Sequence, residues 1–306
     1  MRIAIMGTGG VGGYFGARLA RGGHDVAFVA RGGQLRALRS DGLRVESPLG
    51  DVHLPEVVAT DDPAALDPVD LVLFSVKLWD TEDAAARIRP LLREETAVVS
   101  FQNGVVKDDI LRRVLGPRHV LGGTSHIAAT IDRPGVIRHS GTLQQLTFGE
   151  YDGTRSPRVE RFHAACADGG IDGNVSEHIE RTIWEKFVFL VGLSGTTCLS
   201  RTPIGPIRGD AAARAFLRDV MDEVVRIARA QGIALPEDYA DDRLAFVDTV
   251  PATMTSSMHH DLERGNRLEV AWLSGDVVER GSALGIPTPA NRAIASILSV
   301  HADGHP

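Results

Sequence analysis

The chain has 306 residues, enough for two domains or one large α/β unit, and its 43% hydrophobic content excludes wholesale disorder. A formal net charge of −7 leaves no basic footprint for nucleic acid or an anionic membrane surface. Two cysteines, Cys166 and Cys198, are too few for a disulfide framework, and no apolar run approaches the ~18 residues of a membrane span.

The first predicted element is a strand, MRIAI (1–5), leading into M-G-T-G-G-V-G-G-Y-F-G. This is G-x-G-x-x-G on Gly7, Gly9 and Gly12, with Gly10 inside the turn, and an amphipathic helix (YFGARLARGG) follows. Gly7 allows a tight turn, Gly9 lets a pyrophosphate approach the backbone, and Gly12 lets the helix pack closely on the sheet. The helix N-terminus offers unpaired N–H groups to the anion. Strand before and helix after make a dinucleotide site the preferred reading over a plain glycine-rich turn. With the turn beginning at residue 7, no signal peptide is expected, and the expected location is the reduced cytoplasm.

A second strand, DVAFVA (25–30), ends on Arg31, where an NAD site would usually carry a carboxylate for the ribose hydroxyl. A guanidinium suits a phosphate, so Arg31 points to the 2′-phosphate of NADP, the competing reading being a solvated surface Arg. Further strands are expected at LVLFSVK (71–77), TAVVSFQ (96–102), HVLGGTS (119–125) and LQQLTFGE (143–150), with a helix at TEDAAARIRPLL (81–92). Pro134-Gly135 marks a hairpin turn between two short strands. Alternation of strands and helices predicts a mostly parallel, Rossmann-type α/β domain over residues 1–172. Residues 173–306 then read as all-α. Helices are expected at 177–200, 210–232 and 267–285, with loops at 201–209, 234–240 and 285–289 and a frayed tail at 301–306. The fold class is therefore an α/β domain with a parallel sheet followed by an all-α domain.

Among 33 basic residues only Lys77, Lys107 and Lys186 are lysine. Lysine, unlike arginine, can give up a proton near neutral pH, so a retained one draws attention. Lys77 is expected to end a buried strand at the carboxyl edge of the sheet, where doubly wound folds bind ligands. Lys107 reads as surface. Lys186 lies between Trp184 and Phe187, and its alternative is a snorkelling stem with its charge in water. Ser257 and Asp261 share a helix face, Gly265 breaks that helix, and Glu269 opens the next. His259-His260 carries no metal spacing, so no metal is expected.

These pieces resemble the ketopantoate (2-dehydropantoate) reductases. The resemblance rests on the N-terminal glycines, Arg31, S-V-K at 75–77, Q-N-G at 102–104, W-E-K at 184–186 and S-S-M-x-x-D…G-x-R-x-E at 256–269, and spans nearly the whole chain. It implies an N-terminal NADPH-binding domain, a helical domain closing over it, and hydride transfer to C2 of a 2-oxo acid. By position it implies Lys186 as general acid, Glu269 as its orienting group or a ligand contact, and Ser257 on the substrate carboxylate. Asn103 and Lys77 would line the nicotinamide and substrate region. The family usually carries asparagines four and eight residues after that lysine, on one helix face with it, where this chain has Leu190 and Ser194. An apolar wall there suits a 2-oxo acid, ketone or imine lacking a hydroxyl at that spot. Ketopantoate, a different carbonyl or imine, and a non-catalytic NADP sensor therefore all stay open; retained Lys186 and Glu269 argue against the sensor. Helical second domains of this type often form homodimers, but the sequence carries no marker of oligomeric state.

Overall fold

The computed structural model describes residues 1–304, which form two compact units. The first comprises Met1–Asn103 and Lys107–Ile179, and the second comprises Gly104–Val106 and Glu180–Pro306. The junction falls after Ile179, beyond the 172 expected from the sequence, because one more strand joins the sheet at Asp172–Val175.

In chain order the first unit runs β1 (Arg2–Met6), α1 (Gly10–Arg21), β2 (Asp25–Val29), α2 (Gly32–Asp41), β3 (Leu43–Glu46), β4 (Val52–Leu54), β5 (Val58–Thr60), β6 (Leu71–Phe74), α3 (Thr81–Arg87), β7 (Ala97–Ser100), α4 (Val106–Leu115), β8 (Val120–Arg133), β9 (Val136–Gly149), α5 (Pro157–Asp168) and β10 (Asp172–Val175). The strands form one sheet of order β4-β3-β9-β8-β7-β6-β1-β2-β5, with β10 beside β9. All pairs from β8 through β5 along that order are parallel. Central strands are buried on both faces, which explains their unbroken apolar runs. Ile3 and Ile5 enter one core with Phe15, Phe28 and Leu73, while Ala4 and Met6 enter the other with Val72, Phe74 and Val98.

The hairpin turn at Pro134-Gly135 is present, with Gly135 at φ +79°. Its arms are longer than the short strands expected: β8 and β9 are 14 residues each, antiparallel, with register shifts at Ile127/Ala128 and Ile131/Arg133. The segments 119–125 and 143–150 belong almost wholly to these two strands. The helix expected over 81–92 ends at Arg87, and a short 3₁₀ turn with Pro90 in it follows, because proline offers no N–H to continue the helix.

The second unit contains α6 (Ile179–Ser200, its first residue counted with the first unit), α7 (Ile204–Gly209), α8 (Ala211–Ala230), α9 (Tyr239–Val247), α10 (Ser257–Glu263), α11 (Ser274–Leu284) and α12 (Pro289–Leu298). Buried Thr196 and Thr197 satisfy their hydroxyls on the carbonyls of Gly192 (2.7 Å) and Leu193 (2.6 Å), one turn back. Buried Glu223 on α8 accepts from the backbone N–H of Ala290 (2.7 Å) and Asn291 (2.9 Å), placing a carboxylate at the N-terminus of α12. Three expectations need correction. The loop at 201–209 contains α7. The helix expected from 267 begins only at Ser274, since Leu273 at φ −107°, ψ −99° breaks it. The tail is bonded rather than frayed over its described part: Leu268 N–H donates to Ala302 (2.9 Å) and Gly304 N–H to His301 (3.0 Å), while 305–306 lie outside the described residues. Among the described residues no helix is long and apolar enough to cross a membrane.

Candidate functional site

Past the end of β1 the chain turns at Gly7, φ +98°, where a Cβ would lie 2.7 Å from the Val76 nitrogen. Backbone N–H groups of Gly7 and Thr8 both donate to the Val29 carbonyl at 3.2 Å, and the Thr8 hydroxyl donates there at 3.1 Å. The Ser75 hydroxyl donates to the Gly7 carbonyl (2.8 Å), and the Gln34 side-chain amide to that of Thr8 (3.1 Å). The turn is thus held from β2, from the segment after β6 and from α2.

The four glycines separate by their surroundings. A Cβ on Gly12 would sit 2.2 Å from the Gly7 carbonyl oxygen and 2.3 Å from Ser75 Oγ. One on Gly10 would sit 2.1 Å from the Ala129 carbonyl oxygen, so Gly10 lets α1 press against β8. One on Gly9 would meet nothing within 4 Å. Gly9 therefore opens onto free space at the N-terminus of α1, which has neither a side-chain cap nor an acidic residue in its first turn. The first-turn N–H groups of a helix have no intrahelical partner, and this end suits an anion.

Arg31 precedes α2 in extended conformation, and its exposed guanidinium is ion-paired with Asp80. Lys77 does not end a strand, contrary to the sequence reading. β6 stops at Phe74, and Lys77 is exposed before a short turn, Leu78–Asp80, its ammonium 5.6 Å from the Trp79 ring centre. Gln102, part of the Q-N-G segment at 102–104, joins two loops. It donates to the Val76 carbonyl (2.9 Å) and to Thr81 Oγ1 (2.8 Å), and it accepts from Ser100 Oγ (2.9 Å). It thereby fixes the segments carrying Lys77 and half-buried Asn103.

Lys107 is not a surface residue. Only 1% exposed, it donates to the Ser100 carbonyl (3.2 Å), the Gly123 carbonyl (3.1 Å) and Asp108 Oδ2 (2.7 Å). It clamps β7 and β8 to the start of α4. Burial holds the Asp108 carboxyl above its ordinary pKa even with this cation beside it.

In the second unit, Lys186, Leu190 and Ser194 follow one face of α6. Lys186 and Leu190 are half-buried, whereas Ser194 is 1% exposed and its hydroxyl has no partner among the described residues. Ser257, exposed, opens α10; the cap is the neighbouring Ser256, which accepts from His259 N–H (3.1 Å). Glu269 is 8% exposed and precedes a short turn, Val270–Trp272, rather than a helix. Gly265, at φ +68°, ends α10 as expected. His259 is buried with Nδ1 3.0 Å from the Thr197 carbonyl, and exposed His260 lies 3.2 Å from Thr255 Oγ1; His259 Nε2 and His260 Nδ1 each lie 3.4 Å from the Glu263 carboxylate. Both thiols are free, buried and pushed up to about 12, which leaves them poor nucleophiles.

Residues 3–153 match the family model described as "Ketopantoate reductase PanE/ApbA", and residues 178–302 match its C-terminal counterpart. A "2-dehydropantoate 2-reductase" of Halobacterium salinarum is 33% identical over 97% of this chain and 98% of that protein. The crystal structure of a PanE/ApbA family ketopantoate reductase from Ralstonia eutropha JMP134 is 35% identical with TM-score 0.89, covering 98% of both chains. D-mandelate dehydrogenase, solved with NADH and anilino(oxo)acetate, shares the fold at TM-score 0.89 over 98% of both chains with 19% identity.

Proposed function

The chain belongs to the ketopantoate reductase family, and from that premise we propose that it is an NADPH-dependent reductase of a 2-oxo acid, with ketopantoate the first candidate. Membership makes it an oxidoreductase acting on CH–OH groups with a nicotinamide cofactor. The observation that carries the finer reading is the free approach over Gly9 at the uncapped N-terminus of α1, with the Arg31 guanidinium after the neighbouring strand. The turn fits a pyrophosphate, and an arginine fits a 2′-phosphate better than a ribose hydroxyl.

The nicotinamide, when bound, supplies the hydride. Hydride addition to a carbonyl leaves negative charge on oxygen, so a positioned cationic donor stabilises the transition state and then delivers a proton. We assign that role to the Lys186 ammonium, with the Glu269 carboxylate orienting it. Ser257 would donate to the substrate carboxylate, and Lys77 and Asn103 would line the nicotinamide and substrate region.

Leu190 favours a second reading. It stands where the family usually has asparagine, and a leucine neither donates to nor accepts from a substrate hydroxyl. A 2-oxo acid, ketone or imine more apolar than ketopantoate would then be preferred. The test is NADPH oxidation over a panel of 2-oxo acids including ketopantoate, with and without an added amine. A kcat/KM for ketopantoate above about 10⁵ M⁻¹s⁻¹ would establish the first reading. Turnover confined to apolar 2-oxo acids would establish the second, and turnover that needs the amine would make the substrate an imine.

A further inference from the structure

The Arg31–Asp80 ion pair has a consequence for cofactor choice. The sheet order runs β6-β1-β2, so Arg31, after β2, and Asp80, in the turn after β6, reach toward each other across the end of β1. The glycine turn begins there. Asp80 is held on a defined turn: its N–H donates to the Lys77 carbonyl (3.0 Å), and Thr81 Oγ1 to that of Leu78 (2.7 Å). The Asp80 side chain is 28% exposed and that of Arg31 is 78% exposed, so the carboxylate is the fixed partner and the guanidinium the adaptable one.

A carboxylate takes the same N–H donors that a phosphate would take. A phosphorylated ribose arriving at Arg31 therefore has to displace Asp80 or share the guanidinium with it as a like charge. An unphosphorylated ribose brings only a hydroxyl, which can donate to a carboxylate. We propose that Asp80 is a specificity-determining residue that occupies Arg31 and thereby lowers the preference of this site for NADPH over NADH. The proposal rests on Arg31 being the group that takes the 2′-phosphate.

The experiment is calorimetric titration of NADPH and NADH into the full-length protein and its Asp80→Asn, Asp80→Ala, Arg31→Ala and Arg31→Ala/Asp80→Asn variants. Both Asp80 variants should bind NADPH roughly 2- to 10-fold more tightly, from release of an exposed ion pair and loss of a like charge. NADH binding should stay within about twofold or weaken. In the Arg31→Ala background the gain from Asp80→Asn should shrink, since no guanidinium is left to release. NADPH affinity unchanged or weakened in both Asp80 variants, while Arg31→Ala weakens NADPH alone, would overturn the proposal and leave the Arg31 assignment standing. Equal tightening of both cofactors would also overturn it. NADPH affinity unaffected by Arg31→Ala would remove the assignment itself, and the proposal with it.

Discussion

Substituting Gly9 and Gly12 separately by alanine should distinguish a glycine required by the cofactor from one required by the fold. Gly9 sits at φ −86°, ψ −160°, which alanine adopts freely, and its new Cβ would meet nothing within 4 Å. Stability should therefore change by no more than about 1 kcal/mol, because restriction of the unfolded chain is offset by alanine's poorer fit at a helix N-cap. The methyl group would instead occupy the approach to the α1 N-terminus. An overpacking cost of about 1–3 kcal/mol on the bound state corresponds to roughly 5- to 150-fold weaker dinucleotide binding. Gly12 is the reverse case. Its Cβ would lie 2.2 Å from the Gly7 oxygen and 2.3 Å from Ser75 Oγ, between two atoms that are themselves hydrogen-bonded at 2.8 Å. Backbone must move, so Gly12→Ala should lose at least about 1–3 kcal/mol. For a domain of roughly 150–250 residues that is a melting-temperature fall of roughly 2–12 °C. Thermal melts and calorimetric titration with NADPH and NADH read the two quantities independently. A Gly9→Ala protein that binds both dinucleotides like wild type would refute the assignment of the open space to the pyrophosphate. A Gly12→Ala protein as stable as wild type would refute the packing argument.

Lys107→Met leaves Asp108 buried without its cation and should cost about 3–5 kcal/mol, read as a lower melting temperature. Because burial raises the folded-state pKa of Asp108, the ionised form works against folding, and stability from this group is present at low pH and lost as pH rises through that raised value; the deficit against wild type should shrink on acidification, and a pH-independent deficit would contradict the pairing. Lys186→Ala should cut kcat by about two to four decades with dinucleotide affinity unchanged, and normal turnover would remove Lys186 from the mechanism. Leu190→Asn should raise kcat/KM for ketopantoate relative to 2-oxo acids lacking its hydroxyl, by up to about a hundredfold. An unchanged ratio would show that this side chain does not meet the substrate; Ser194 is the poorer position to vary, since it is enclosed and an added amide would overpack it.

The parallel centre of the sheet was legible because strands buried on both faces write continuous apolar runs, as RIAIM and LVLF do. The missed strands were LRVE, VHL, VAT and DGNV, three or four residues each. None carries enough apolar residues to announce itself, and β3 and β10 exist because β9 is long enough to pair with them. The segment before α11 misled for the opposite reason. L-E-V-A-W-L has helical apolar spacing, but Leu268 spends its N–H on Ala302, far along the chain, and Leu273 departs from helical backbone.

Candidate site residues could be proposed by type but not by partner. G-x-G-x-x-G and Arg31 suggest a dinucleotide site from local chemistry alone, since a turn, a helix end and a guanidinium need no distant residue to be recognised. Yet Arg31 has its acidic partner 49 residues away, and Lys107 reaches carbonyls 7 and 16 residues away on two strands. Both facts come from strand order, which single-sequence periodicity does not encode. The lysine argument shows the same limit. Choosing lysine among many arginines singled out three positions, but it could not tell the exposed Lys77 from the buried Lys107. Charge at a buried position persists only with a fully bonded ammonium, so the hydrogen-bond partners, rather than the residue type, decide whether a lysine such as Lys107 can hold the fold from inside.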